Sequence, residues 1–194
     1  MRILGGAYKG RTIHSPRGRR KVRPMTGLVR KSMFDILAGR VEGAVVADLY
    51  CGTGTLGLEA LSRGAGRCFF ADRDRGALAL LQRSIHELGL EDRCILWRGD
   101  LTVRLAGWLG RMDGTIDLAF VDPPYADARK WSWDRVARTM FAPLGAHLAD
   151  DGLVVLRLPG KTDPPRRLGP LANVRAKQYG DMTLVFLQRR AEGE

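Results

Sequence analysis

Between residues 44 and 158 the apolar positions alternate between short, nearly continuous runs and longer stretches with helical spacing. The runs at 44–50, 67–72, 93–98, 115–121 and 152–158 read as buried strands, and the stretches near 55–63, 74–88, 101–110 and 133–148 as the helices that connect them. This alternation predicts an α/β protein with a mostly parallel, doubly wound sheet. It breaks down at both ends. Gly160 to Pro170 holds too many prolines and glycines for a crossover helix, and Val174 to Tyr179 and Met182 to Gln188 flank Gly180-Asp181, which predicts a closing antiparallel hairpin. Residues 1–24 mix short apolar stretches with Gly5-Gly6, Gly10, Pro16, Gly18 and Pro24, a pattern for a β-hairpin or extended arm. Thr26 is placed to cap a linking helix in which Val29, Met33 and Ile36 or Leu37 share one face while Arg30 and Lys31 point elsewhere. The chain thus divides into an arm with its helix, residues 1–40, and an α/β domain, residues 41–194.

Charge sharpens that division. Of the net +11, residues 1–40 contribute +10, with eleven Lys or Arg against Asp35, and the remainder is nearly neutral at 21 bases and 20 acids. A near-neutral domain with a cationic arm predicts a polyanionic partner, with Lys9, Arg11, Arg19, Arg20, Lys21, Arg23 and Arg30 as the phosphate-contact candidates. No apolar stretch reaches membrane-spanning length and no signal-peptide core precedes the arm, so a cytoplasmic protein is expected. Cys51, Cys68 and Cys94 form no C-x-x-C pair, and His14, His86 and His147 have no metal or triad spacing; inert thiols, no metal and a monomer are the expectations.

Two segments carry chemistry. The first strand runs into Asp48-Leu49-Tyr50-Cys51-Gly52-Thr53-Gly54, and Gly57 completes G-x-G-x-x-G between a strand and a helix. Asp72 ends the next strand at a distance suited to ribose hydroxyls, and Asp100 ends the third, where it could accept an adenine amino group or cap the following helix. A dinucleotide would place pyrophosphate at the glycine turn, whereas S-adenosylmethionine brings a sulfonium and an amino acid. Asp48, four residues before Gly52, sits poorly beside pyrophosphate but can accept from an ammonium group, directly or through water. The expected cofactor is therefore S-adenosylmethionine, held by Asp48, Tyr50, Gly52, Thr53, Gly54, Asp72, Arg73, Asp100 and Leu101.

The second segment is Asp122-Pro123-Pro124-Tyr125, directly after the apolar run Ile116 to Val121. Two prolines stop the strand and stiffen its exit, so a carboxylate, a carbonyl without a ladder partner and an aromatic ring stand together at the carboxyl edge of the sheet. Such a loop suits a flat ring bearing an amino group, with hydrogens accepted by Asp122 and the Pro123 carbonyl and a face covered by Tyr125. Asp163-Pro164-Pro165 repeats the tripeptide without a strand to deliver it and reads as an ordinary loop. Trp131 and Trp133 follow the first loop and serve either nucleotide stacking or helix packing. The loop alone leaves adenine N6 and guanine N2 both open. A nicotinamide-dependent oxidoreductase would leave the loop and the arm without a role, and a non-catalytic RNA-binding assembly factor would leave the pocket idle.

Asp48 to Gly54, Gly57 to Gly64 and Asp122 to Tyr125 resemble class I S-adenosylmethionine-dependent methyltransferases that act on exocyclic amino groups, with a Rossmann-like fold. Arg2 to Gly6, Gly10-Arg11, Arg23-Pro24, Thr26, Val29-Arg30, Phe34 and Tyr179 to Asp181 resemble, more narrowly, the RsmD family. That resemblance implies methylation of a guanine N2 in small-subunit (16S) ribosomal RNA, with the RNA or a partly assembled subunit as partner. One segment departs from the pattern: an acid and a base that members carry before Val29 are Gly27 and Leu28, and a later Glu is Lys31.

Overall fold

The computed structural model describes residues 1–16, 25–160 and 162–190. Five strands form the parallel part of the sheet: β1 Val45–Leu49, β2 Arg67–Asp72, β3 Cys94–Arg98, β4 Ile116–Val121 and β5 Leu148–Pro159. The short β6 Arg167–Leu168, β7 Leu171–Tyr179 and β8 Met182–Arg189 are antiparallel and close it, in the order β3-β2-β1-β4-β5-β8-β7-β6. The order reverses between β1 and β4, and there the carboxyl ends of neighbouring strands open a crevice.

Helices cover both faces. α1 Gly27–Ile36, α2 Thr55–Ser62 and α3 Arg75–Leu88 lie on one; α4 Leu101–Leu109, α5 Tyr125–Ala128, α6 Trp133–Val136 and α7 Ala142–Ala146 lie on the other. Central strands are apolar on both sides because both sides are covered: Val46, Phe70 and Phe120 belong to the first core, Ala47, Ala119 and Val154 to the second. α3 shows the matching helical pattern, burying Ala77, Leu78, Leu81, Ile85 and Leu88 between the Asp74 cap and Gly89, where φ is +66°. Among the described residues no helix is long and apolar enough to cross a membrane.

Two predicted elements differ in detail. The single helix expected at 133–148 is three pieces, with a π-helical segment at Ala137–Phe141, because Pro143 in the first turn of α7 has no N–H to continue the ladder. β5 begins at Leu148 rather than 152; Leu148 pairs with Ile116, and a bulge before the Leu118–Leu153 pair takes up the extra residues.

The N-terminal segment folds back as a hairpin-like loop with an Arg2–Thr12 bridge, and Ile3 and Ile13, each 1% exposed, enter the first core. It is stapled to α2: Ala7 N donates to Ser62 O at 2.7 Å, Tyr8 N to Ser62 Oγ at 2.9 Å and Leu4 N to Glu59 Oε2 at 2.8 Å. Gly6 permits the approach, since a Cβ there would lie 1.7 Å from Ser62 O.

Arg30 corrects the sequence reading of α1. It shares the buried face with Val29, Met33 and Phe34, is 3% exposed, donates to Arg2 O at 2.6 Å and faces the fully buried Glu59 at 3.6 Å. Arg63 meets the other oxygen of Glu59 at 2.9 Å. The buried cation is tolerated because the Glu59 carboxylate faces it and the Arg2 carbonyl accepts from it, and pattern counting, which treats every Arg as solvent-facing, has no access to that pairing.

Candidate active site

β1 delivers Asp48 and then turns sharply. Tyr50 has φ +60°, the one described non-glycine residue in the left-handed region, and Gly52 and Gly54 follow at +54° and +73°. A tyrosine there stores roughly 1–3 kcal/mol of backbone strain, held by the loop around it. Gly54 and Gly57 bring the turn and α2 onto β2: a Cβ at Gly57 would lie 2.3 Å from Phe70 Cε1 and 2.6 Å from Cys68 Sγ. Gly57→Ala is therefore expected to lower stability by roughly 1–3 kcal/mol, read by thermal unfolding, because neither Phe70 nor Cys68 has room to retreat from the packed core.

The three acids expected at the cofactor have distinct settings. Asp48 is 1% exposed and accepts from Gly57 N at 2.8 Å. Burial pushes its carboxyl up to about 8, the Gly57 N–H counteracts, and the neighbouring Asp122 and Asp72 add to the rise. Asp72 accepts from Gly52 N at 2.7 Å and from Asp74 N at 2.9 Å, so it spans the glycine turn and the start of α3; the cap of α3 is Asp74. Asp100 caps α4 through Thr102 N at 2.8 Å and Thr102 Oγ1 at 2.7 Å, and its carboxylate remains exposed.

A cavity of about 140 Å³ lies at this edge, lined by Tyr50, Arg73, Asp100, Leu101, Asp127 and Trp131. Four predicted cofactor residues thus meet around one space. Asp127 and Trp131 complete it: Asp127 pairs with Arg73 at 3.0 Å, and Trp131 tilts against Tyr50 with ring centroids 6.3 Å apart. The Tyr50 hydroxyl reaches Met140 Sδ at 3.4 Å, and burial raises its titration. Trp133, half-buried, packs edge-on to Trp131 with ring centroids 5.9 Å apart. A larger depression of about 460 Å³ at the β3 edge, bounded by Phe69, Trp97 and Trp108, holds none of the predicted residues. Cys51 and Cys68 are buried free thiols whose titration burial raises well above the ordinary range; for Cys94 it is pushed up to about 12.

The exit of β4 stands beside the glycine turn, tied to it by Asp122 N donating to Leu49 O at 3.1 Å. Pro123 is buried, the Pro124 carbonyl accepts from Asp127 N and Ala128 N as α5 begins, and Tyr125 packs against the first core. Asp122 keeps 21% of its side chain exposed and is paired with Arg157 of β5, which is 2% exposed. Burial raises the Asp122 carboxyl, and Arg157 opposes the rise. The same guanidinium lies 5.0 Å from the centroid of the Tyr125 ring. Arg157 was not among the expected site residues. Its signal was a charge within the apolar run Leu153-Val154-Val155-Leu156-Arg157-Leu158.

Of the predicted phosphate contacts, Lys9 and Arg11 are exposed, Arg11 Nη2 donating to Glu87 O at 3.0 Å. Arg30 is instead buried in the cluster with Glu59. Arg19, Arg20, Lys21 and Arg23 lie outside the described residues. The segment that departs from the family pattern is on the surface: Gly27 and Lys31 are exposed, Leu28 is 79% exposed, and Lys31 pairs with Asp35 at 2.9 Å.

A sheet of this order, with a glycine turn after β1 and a carboxylate on a proline-stiffened exit from β4, defines a Rossmann-like α/β methyltransferase. The family described as "Conserved hypothetical protein 95" matches residues 1–188, and the chain belongs to it, the RsmD family of ribosomal RNA methyltransferases. Ribosomal RNA small subunit methyltransferase D of Escherichia coli is 27% identical over 194 residues, covering 100% of this chain and 92% of its own. YlbH of Bacillus subtilis, provisionally named an rRNA methyltransferase, is 29% identical over 192 residues, covering 98% and 100%. Among solved structures, yhhF of Escherichia coli, provisionally named a methyltransferase, superposes with a TM-score of 0.79 at 27% identity over 99% of both chains.

Proposed function

We propose that this methyltransferase transfers the methyl group of S-adenosylmethionine to the exocyclic N2 amine of a guanine in small-subunit ribosomal RNA. The observation that carries the proposal is the row of ionisable side chains at the carboxyl ends of three adjacent strands, Asp48 on β1, Asp122 after β4 and Arg157 on β5, beside a small aromatic cavity. The cavity suits an adenine ring: Tyr50, Trp131 and Leu101 offer faces, and Asp100 an acceptor at the rim. Asp48 and Asp72 offer carboxylates to an ammonium and to ribose hydroxyls respectively. When bound, S-adenosylmethionine supplies an electrophilic methyl group on a sulfonium.

The chain's own residues then orient the acceptor. Asp122 and the Pro123 carbonyl accept the two amine hydrogens, which aims the nitrogen lone pair across the crevice, and Tyr125 covers one face of an everted base. The nitrogen forms its bond to the methyl carbon as the carbon–sulfur bond breaks. The surplus proton on nitrogen leaves to solvent, because an alkylated aryl ammonium is a strong acid and no dedicated base is required. Positioning is the principal contribution.

Mapping of N2-methylguanine in ribosomal RNA from cells lacking the protein tests the assignment. One modified guanine should disappear from the small-subunit RNA and return with the intact gene. Loss of an N6-methyladenine instead would reassign the acceptor, and an unchanged set of modifications would refute the proposal.

Phosphate contacts from the arm carry a separate prediction. With about five phosphates engaged on single-stranded RNA, affinity should fall roughly a hundredfold between 50 and 200 mM salt. Changing Lys9 and Arg11 together to Ala should reduce the log–log slope by about 1.4. Filter binding across that salt range measures both, and a slope near zero would remove the arm from RNA binding.

A further inference from the structure

We propose that Arg157 is a positioning residue of the transfer site: its guanidinium fixes the Asp122 carboxylate and seats the Tyr125 ring, so acceptor and stacking platform present a single geometry to the target base. The inference rests on the reading of Asp122 and Tyr125 given above and assigns them a shared support.

Register brings the residues together. Val121 pairs with Leu156 in the parallel ladder, so the next residue of each strand, Asp122 and Arg157, are lateral neighbours at the sheet's carboxyl edge. Alternation puts Arg157 on the same face as Val155, toward the first core, where a lone cation would be costly. It is tolerated there because Asp122 pairs with it and the Tyr125 ring lies 5.0 Å from its guanidinium carbon. A planar, permanently charged fork serves a carboxylate edge and an aromatic face at once, which a lysine does not.

The pairing also protects the charge on Asp122. The charged groups that bear on it are Arg157 from β5, which pairs with it, and Asp48 from β1. Asp48, when ionised, and burial both favour a protonated Asp122, and Arg157 opposes them. A protonated Asp122 keeps only its carbonyl oxygen as a weaker acceptor and carries a donor hydrogen that competes at an amine that itself donates, so the alignment weakens. Removing Arg157 therefore raises the pH at which Asp122 ionises, and the acid limb of the rate profile should move up with it.

The test compares the full chain with Arg157→Gln and Arg157→Lys. Single-turnover methylation of immature small subunits by Arg157→Gln should fall about tenfold to a hundredfold near neutral pH, with the deficit shrinking as pH rises. Arg157→Lys should recover the acid limb but only part of the rate, and calorimetric affinity for S-adenosylmethionine should stay within about threefold for both. A rate loss equal at every pH, or wild-type rates in both variants, would overturn the proposal. A readout without substrate separates it from the choice of target: the Asp122 carboxyl carbon, followed by NMR, should titrate at higher pH in Arg157→Gln and near its wild-type position in Arg157→Lys. If Arg157→Gln fails to fold, Arg157→Lys still decides through the stacking contact, since a full wild-type rate in that variant refutes the geometric claim. Absence of transfer by the wild-type chain would count against the guanine assignment alone, and the carboxyl titration would still judge Arg157.

Discussion

Asp122→Ala is expected to reduce methyl transfer by about a thousandfold or more while leaving the dissociation constant for S-adenosylmethionine within about threefold. The separation follows from position: Asp122 is on the β4 exit and does not line the small cavity, whereas Tyr50 follows β1, Asp100 follows β3 and Leu101 begins α4. Truncation has a second effect that must be kept apart from the first. It leaves Arg157, 2% exposed, without its carboxylate, which should cost about 3 kcal/mol, the low end for a buried pair because Asp122 keeps 21% of its side chain exposed. Thermal unfolding will register that loss. The double variant Asp122→Leu with Arg157→Met removes both charges and should regain most of the stability without regaining transfer. Parallel loss of transfer and cofactor affinity in Asp122→Ala, restored together in the double variant, would make Asp122 a structural residue only.

The parallel strands were legible because each is short, apolar and buried on both sides, a pattern that few other arrangements of residues produce. The glycine turn was legible for a related reason: positive φ at Gly52 and Gly54 and the close approach of Gly57 to Phe70 can be met by little else. What escaped were pairings across long sequence separations. Arg30 and Glu59 are both charged and both buried, and neither reads as core until the other is placed beside it. Arg157 and Asp122, the first buried and the second partly so, pair in the same way at the carboxyl edge of the sheet. The ladder register that joins them does not follow from either strand alone, and a cation inside an apolar strand was the one local sign. Asp100 was legible in position and as a cap of α4, whereas Asp72 was legible in position but not in its bond to the Gly52 N–H, which holds the turn. Binding at these groups must therefore add to, or exchange with, hydrogen bonds already made.

Asp48 gives this exchange a measurable form. Its carboxyl, pushed up to about 8 by burial, holds a proton near neutrality that the unfolded chain, ionising near pH 4, has released. The sign follows: between roughly pH 4 and 8 the folded protein binds more protons than the unfolded one, so this group's contribution to stability falls as pH rises. Asp48→Asn should flatten that decline, and because the amide oxygen can still accept from Gly57 N, α2 should stay in place. An ammonium arriving beside Asp48 favours the ionised form, so uptake of S-adenosylmethionine near pH 7 should release up to about one proton, seen as a dependence of the binding heat on the buffer's ionisation enthalpy. In Asp48→Asn that release should vanish and affinity should drop by about tenfold to a hundredfold, the value of a charge-assisted hydrogen bond at a buried site. Wild-type affinity together with unchanged proton release in the Asn variant would confine Asp48 to holding α2 through Gly57. Loss of affinity with no change in proton release would move the ammonium contact to another group at the same edge, with Asp72, which bridges the glycine turn and α3, the next to substitute.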